Sequence, residues 1–275
     1  FQKLTLLFCC FIYLSYSFIG FMLPYIFYYP NFLCIEENGS NTKCSELVAC
    51  SSSLGFNIES NFKSVVTEYK LYCQNGYLVN LYEGLIVILG GIMAFILSSF
   101  SDRLGRRFMI LICYILTMIG LLITISGNNI ITLIIGNVLS WSGIEGYGSI
   151  VIVYLNEIMS ENSKNLANSL LFVSWGLGEV LFNIINIWIK DYRTIFIVQI
   201  LINAPLILVF MYLQESPLFL FKQKRISNLL HTLIFIGNQN KVPKQRLELE
   251  LNHQFQFSYL LGKDWLDQKD VFLRK

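Results

Sequence analysis

Ser101-Asp102-Arg103-Leu104-Gly105-Arg106-Arg107 places one acid and three arginines between two long apolar runs, at about 77–100 and 108–126. Apolar runs of roughly 18 residues or more with almost no charge span a bilayer as helices. The charged stretch is then a tight loop in water joining two spans. Gly105 supplies the backbone freedom for its turn, and the arginines offer several donors to carboxylates at neighbouring helix ends. The same residues also read as a basic loop that does no more than fix topology.

Outward from this loop the pattern repeats. Residues 4–35 and 194–214 carry no Asp, Glu, Lys or Arg; 108–156 carry only Glu145, and 165–189 only Glu179. Six spans are expected, at about 4–29, 77–100, 108–126, 130–154, 167–189 and 194–213. The turn-forming Ser126-Gly127-Asn128-Asn129 separates the third from the fourth. In lipid each span must satisfy its own backbone, and runs of this length are too long for barrel strands, so the spans are helices. The composition agrees. Hydrophobic residues make up 55% and charged residues 14%, and the mean hydropathy is +0.56. A soluble domain carries about 25% charge. The expected class is an all-α membrane protein embedded in a lipid bilayer.

Placing the N-terminus in the cytoplasm puts fifteen Lys and Arg inside and five outside, as the positive-inside rule requires. The loop at 31–76 then faces outside. It holds Cys34, Cys44, Cys50 and Cys73, and the only glycosylation sequon, Asn38-Gly39-Ser40. Four cysteines in an oxidising compartment suggest two disulfides, with three pairings open; four free thiols and a chance sequon are the alternative. Cys9, Cys10 and Cys113 lie within spans and read as packing residues.

The D-R-x-G-R-R pattern directly after a second span resembles the signature between helices two and three of the major facilitator superfamily. Other segments are similar to its organic cation and anion transporter family. Phe1-Gln2-Lys3 stands before the first span, and Leu71-Tyr72-Cys73 closes the outer loop. Glu157 and Lys164 follow span four, Asp191-Tyr192-Arg193 precedes span six, and Glu215-Ser216-Pro217 follows it. The chain departs from the family pattern at Ser98, where Gly is usual, and at Asn137 and Leu218, where Arg is usual.

The resemblance implies twelve helices in two pseudosymmetric halves around a central cavity, working by alternating access. This chain would supply the first half, 1–213, and the cytoplasmic loop 214–275 that precedes the second. The start at Phe1 and the end at Arg274-Lys275 suggest a fragment, completed by a second six-helix half of the same chain or by a second copy. By resemblance, Asp102, Arg103, Gly105, Arg106, Arg107, Glu157 and Glu215 form a gating latch. Arg106 would pair with Glu157, and Asp102 would face the second half. The implied function is transport of small organic solutes, most similar to organic ions, across the plasma membrane. A sugar porter shares these motifs, although the four-cysteine loop argues against it. A non-transporting receptor or scaffold on the same fold is the third alternative, favoured by Asn137 and Leu218.

An ionisable group inside a span is costly and marks a functional site by default. Asn137, Trp141 and Glu145 recur at helical spacing, as do Trp175, Glu179, Asn183 and Asn186. Trp141, Glu145, Trp175, Glu179, Asn183 and Asn186 are therefore the candidate solute-cavity residues, since aromatic faces beside carboxylates suit an organic cation. The competing reading protonates each Glu and hydrogen-bonds it between helices. Glu83 lies near the outer end of its span and is expected to reach the interface.

Ser216, Pro217 and the stripe Ile226, Leu229, Leu230, Leu233 and Ile234 predict a capped, amphipathic cytoplasmic helix. The alternative is a calmodulin-type target, which the one-sided basic cluster Lys222, Lys224 and Arg225 opposes. Enzymatic readings find little support. Two histidines are too few for a usual metal cluster. No phosphate-binding G-x-x-x-x-G-K-S/T loop occurs. Gly176-Leu177-Gly178 reads as close helix packing. A net charge of +2 with no basic-aromatic patch argues against nucleic acid. No cofactor is expected.

Overall fold

The computed structural model describes residues 1–35, 40–51 and 55–240. Asn38, the sequon asparagine, and residues 241–275 of the expected cytoplasmic loop lie outside these.

The chain opens with α1 (Gln2–Gly20), which a short α2 (Leu23–Ile26) extends. The loop at 31–76, the expected outer loop, follows as β1 (Asn31–Ile35), β2 (Asn41–Cys44), α3 (Glu46–Ser51), β3 (Phe56–Glu59) and α4 (Val65–Glu68). Four long helices come next: α5 (Tyr77–Leu104), α6 (Arg106–Ser126), α7 (Ile130–Ile158) and α8 (Glu161–Asn186). Then come α9 (Tyr192–Asn203), α10 (Leu206–Tyr212), α11 (Pro217–Lys222) and α12 (Ile226–Gln239). Among the described residues five helical segments are long and apolar enough to cross a membrane, those at 2–26, 73–104, 106–126, 130–158 and 161–186.

Two expectations need correction. The chain is not purely helical, because the outer loop folds an antiparallel sheet in the order β2-β1-β3. Phe32 and Cys34 alternate inward along β1, and Cys34 pairs with Thr42 on one side and Phe56 on the other. Alternating burial over so short a stretch is a weak signal beside the apolar runs. The span expected at 194–213 is divided in two, α9 and α10, around Ala204 and Pro205. Proline has no N–H to donate and its ring crowds the preceding turn, so a helix restarts there.

Helix ends follow their capping residues. Asn129 accepts from the Thr132 amide at 2.9 Å and starts α7, directly after the expected turn. Asp191 caps α9 through the Arg193 amide at 3.3 Å, and Ser216 caps α11 through the Phe219 amide at 3.3 Å, with Pro217 in its first turn. Leu229 and Leu233 of α12 are buried with Phe219 and Leu220 of α11, while Ile226 of the expected stripe is exposed.

Lipid offers no hydrophobic drive between helices, so close packing needs small residues. The α6–α7 contact is built this way. A Cβ on Gly136 would meet the Gly120 carbonyl oxygen at 2.8 Å, and one on Gly143 would meet the Thr117 amide nitrogen at 2.7 Å. Thr117 and Thr124 return their hydroxyls to the Cys113 and Gly120 carbonyls, each at 3.0 Å. These polar groups are thereby satisfied within the helix. The resulting α6–α7 pair backs α7 against its neighbours and fixes the face on which Glu145 stands.

Candidate functional site

Glu145 lies midway along α7 and its carboxylate Oε1 accepts the Tyr16 hydroxyl of α1 at 3.0 Å. Tyr13, one turn earlier on α1, donates to the Gly148 carbonyl at 2.7 Å. Glycine at 148 is what permits this approach, because a Cβ there would meet the Tyr16 ring at 2.9 Å. The carboxylate opens onto two adjoining pockets. One, of about 300 Å³, is lined by Tyr13, Tyr16, Phe172 and Trp175. The other, of about 500 Å³, lies against α5 and is lined by Gly91, Ala94, Phe95, Ser98 and Trp141. Ser149 belongs to both and its hydroxyl lies 2.7 Å from that of Ser98. The serine at 98 thus ties α5 to α7 at the pocket's edge.

Trp141 keeps its place because position 90 is glycine: a Cβ there would meet the indole Cδ1 at 2.6 Å. Trp175 leans on Phe21, with ring centroids 5.4 Å apart. Three of the six expected cavity residues, Glu145, Trp141 and Trp175, therefore share one open region. The other three lie further along α8. Glu179 is half-buried and its carbonyl accepts from the Asn183 side chain at 2.9 Å. Asn183 in turn accepts the Tyr25 hydroxyl at 2.6 Å. Asn186 lines a separate, third pocket beside the outer loop.

Asn137, expected on the same stripe as Trp141, is instead buried and donates to the Leu133 carbonyl at 2.9 Å. Sequence reasoning missed Tyr13 and Tyr16. Their signal was present: two hydroxyl-bearing rings three residues apart in a charge-free run.

At the other end of these helices the expected charge cluster assembles. Arg106 and Glu157 form an ion pair at 3.2 Å, both largely buried. Asp102 reaches the same guanidinium at 2.6 Å from an exposed position. A single Glu215 oxygen accepts the amides of Arg106, Arg107 and Ser216 at 2.9, 3.2 and 3.0 Å. It therefore caps the start of α6, where a carboxylate also complements the helix dipole. Arg107 donates to the Phe210 carbonyl at 3.2 Å, and Arg103 is exposed. Gly105 connects α5 to α6 at φ +113°, and a Cβ there would strike the Glu215 carboxylate at 2.5 Å.

The outer loop carries the disulfides Cys34–Cys44 and Cys50–Cys73, with Cα atoms 5.9 and 5.5 Å apart. This resolves the three pairings left open by the sequence. Cys9 and Cys113 are free and buried, and Cys10 is free and partly buried. Burial lifts the Tyr29 hydroxyl above the ordinary phenol range, and the carboxylates of Glu46 and Glu83 push the same way. Glu83 lies in the second turn of α5, at the end nearer the loop. Among the described residues no three His, Cys, Asp or Glu side chains come together as a metal site.

A family model described as sugar (and other) transporter matches residues 48–256, well over half of the chain. The chain belongs to that family. Its curated relatives include solute carrier family 22 member 7 of Rattus norvegicus, 24% identical over 196 residues, covering 71% of this chain and 37% of the relative. The Homo sapiens member 7 is 25% identical over 225 residues, covering 78% and 40%. Among solved structures, the E. coli xylose transporter XylE, in a partially occluded inward-open conformation, aligns with a TM-score of 0.63 at 12% identity. That alignment covers 95% of this chain and 62% of XylE. The family match and the five apolar helices make the chain a multi-pass membrane protein of the transporter family, similar to members of solute carrier family 22. Family and neighbours are transporters rather than enzymes. The chain spans about two-fifths of the length of the curated relatives it matches.

Proposed function

We propose that this chain forms one half of a path for small organic ions, with Glu145 as the group that meets an organic cation. The observation that carries this is the Glu145 carboxylate, held by a neutral tyrosine hydroxyl between two aromatic-lined pockets. A carboxylate at this depth is costly. A cation with aromatic neighbours at its face offsets that cost in the occupied state. Trp141 and Trp175 flank it, and Glu179 and Asn183 continue the polar track along α8.

The six-helix unit is 1–213, with α9 and α10 together making the sixth span, and 214–275 is a cytoplasmic loop that includes α12. A second six-helix half, from the same chain or a second copy, closes the cavity by alternating access. In this scheme Asp102, Arg103, Gly105, Arg106, Arg107, Glu157 and Glu215 hold the cytoplasmic latch, and the exposed Asp102 carboxylate faces the second half. The N-terminus is cytoplasmic, the protein resides in the plasma membrane, and Asn38 carries a glycan in the outer loop.

The test is uptake of benzyltrimethylammonium by cells expressing the full native transcript. Uptake well above control cells is expected, with at least a tenfold loss in Glu145→Gln at equal surface amount. Absent uptake of this cation and of neutral sugars would favour a receptor or scaffold, and uptake of sugars alone would favour the porter reading.

A further inference from the structure

At the end of α5 the chain brings basic residues together from distant segments. Gln223, in the turn between α11 and α12, donates its side-chain amide to the Asp102 carbonyl at 3.3 Å. That bond sets Lys222, Lys224 and Arg225 close to Arg103, the neighbour of Asp102. The turn itself is fixed by its backbone. The Lys224 amide donates to the Phe221 carbonyl at 2.9 Å, and the Arg225 amide to the Leu220 carbonyl at 3.0 Å. This is the pattern that closes a helix when the residue after it turns left-handed. Lys224 takes that conformation, with φ +56°, which glycine adopts without strain and lysine does not. Its side chain is exposed, so packing does not offset the strain.

Arg103, Lys222, Lys224 and Arg225 are all exposed, and none forms an ion pair among the described residues. The acids at this end of the helices are already engaged. Asp102 and Glu157 hold Arg106, Glu161 pairs with Lys164, and Glu215 accepts three backbone amides. Four positive charges are thus left facing outward. Apolar surface adjoins them: Leu104 follows Arg103 and is 49% exposed, and Ile226 follows Arg225 and is 51% exposed. One apolar span ends at Leu104 and the next begins at Arg106, so the patch lies where the helices leave the bilayer. A loop that only fixes topology needs charge near a span end. It does not need two segments more than a hundred residues apart tied into one cluster. Cations at headgroup level, beside exposed apolar side chains, complement a phospholipid, with phosphate for the charges and acyl chain for the apolar part.

We propose that this junction is a binding site for a phospholipid whose headgroup carries several phosphates. The phosphates lie among Arg103, Lys222, Lys224 and Arg225, where the two arginines can each grip a phosphate with paired donors. The acyl chains run past Leu104 and Ile226 into the bilayer. A headgroup with a single phosphate and a balancing ammonium would leave most of the four charges unanswered, which is why the site selects clustered phosphates. Because its cations come from α5 and from the α11–α12 turn, an occupant fastens the two together at the point where Gln223 already joins them. The site depends on the chain spanning a membrane and not on what Glu145 binds.

The experiment titrates the full-length protein, stripped of lipid in detergent, with dioctanoyl phosphatidylinositol bisphosphate and follows binding by thermophoresis. Saturable binding is expected, with dioctanoyl phosphatidylcholine at least tenfold weaker. Inositol trisphosphate, which has the phosphates without the chains, should also be at least tenfold weaker. The triple variant Lys222→Gln/Lys224→Gln/Arg225→Gln should lose at least tenfold in affinity, since each cation near a membrane surface is worth roughly fivefold. Lys224→Gly should weaken binding several-fold while raising the melting temperature, because glycine suits the left-handed turn; that loss cannot then come from unfolding. Lys43→Gln/Lys70→Gln/Lys190→Gln, which removes three exposed charges at the other end of the helices, should bind as the native protein does. Native affinity in the first triple variant or in Lys224→Gly would overturn the proposal, and so would an equal loss in the second triple variant. Equal binding of phosphatidylcholine, or no binding of the bisphosphate lipid, would overturn it too. Inositol trisphosphate binding as tightly as the lipid would assign the patch to a soluble polyphosphate instead.

Discussion

At the scale of single residues, Gly105 shows how one position couples two requirements. Its φ of +113° lies where side chains are strongly disfavoured, and the Glu215 carboxylate occupies the space a Cβ would need. Glu215 cannot move away cheaply, because one of its oxygens accepts three backbone amides at the α6 and α11 starts. Gly105→Ala should therefore destabilise the protein by about 1–3 kcal/mol, seen as a lower melting temperature in detergent. An unchanged melting temperature would mean that the loop relaxes freely and that Glu215 is not fixed. The role of this glycine was legible in D-R-x-G-R-R, and so was the Arg106–Glu157 pair through the family resemblance. The cap made by Glu215 was not legible, since residues more than a hundred positions apart meet only through tertiary structure.

At the scale of elements, the spans α1 and α5 to α8 could be read from charge-free runs, because the bilayer's thickness fixes their length. Their contacts were less readable. The pair Gly176 and Gly178 was read as one packing motif, yet the two positions differ. A Cβ on Gly178 would meet the Leu14 carbonyl oxygen of α1 at 2.5 Å and the Ser17 hydroxyl closer still, whereas Gly176 has nothing within 4 Å. Sequence spacing shows that two glycines lie near each other, not which one faces the neighbour. Opposite signs are expected for the two alanine variants. Gly178→Ala should force α8 off α1 and lower the melting temperature, and Gly176→Ala should raise it by the helix-propensity gain of about 1 kcal/mol. Matching shifts from both variants would place the α1–α8 contact elsewhere. The break at Pro205 and the outer sheet escaped sequence reading for a different reason. A proline near the end of an apolar run and a five-residue alternation are both weak against the hydropathy that surrounds them.

At the scale of the whole molecule, the question is what holds the outer loop to the helices. Two kinds of link do so. The backbone of Lys63 pairs with the stretch between α8 and α9, its amide to the Lys190 carbonyl at 2.7 Å and its carbonyl to the Tyr192 amide at 3.1 Å. Beside it, Glu68 accepts from Arg193 at 2.7 Å, and Lys63 approaches its other oxygen at 3.2 Å, in ion-pair range. Ser64 adds a hydroxyl bond to the Tyr28 carbonyl at 2.7 Å. The ion pairs are partly exposed, so each contributes about 1 kcal/mol at most. The backbone pairing does not depend on them. The disulfides act on a different part of the loop: Cys50–Cys73 closes 23 residues, which the chain-entropy model values at about 3 kcal/mol. The two links should therefore fail separately. Glu68→Gln removes both pairs, at most about 2 kcal/mol together, and should speed amide exchange in residues 63–69 by at most about thirtyfold, leaving the sheet protected. Reduction of the disulfides should instead expose the loop around β1–β3 to protease while residues 63–69 stay protected by the helical ends. If reduction released both regions together, the backbone pairing at Lys63 would be secondary, and the loop would be held down by its crosslinks.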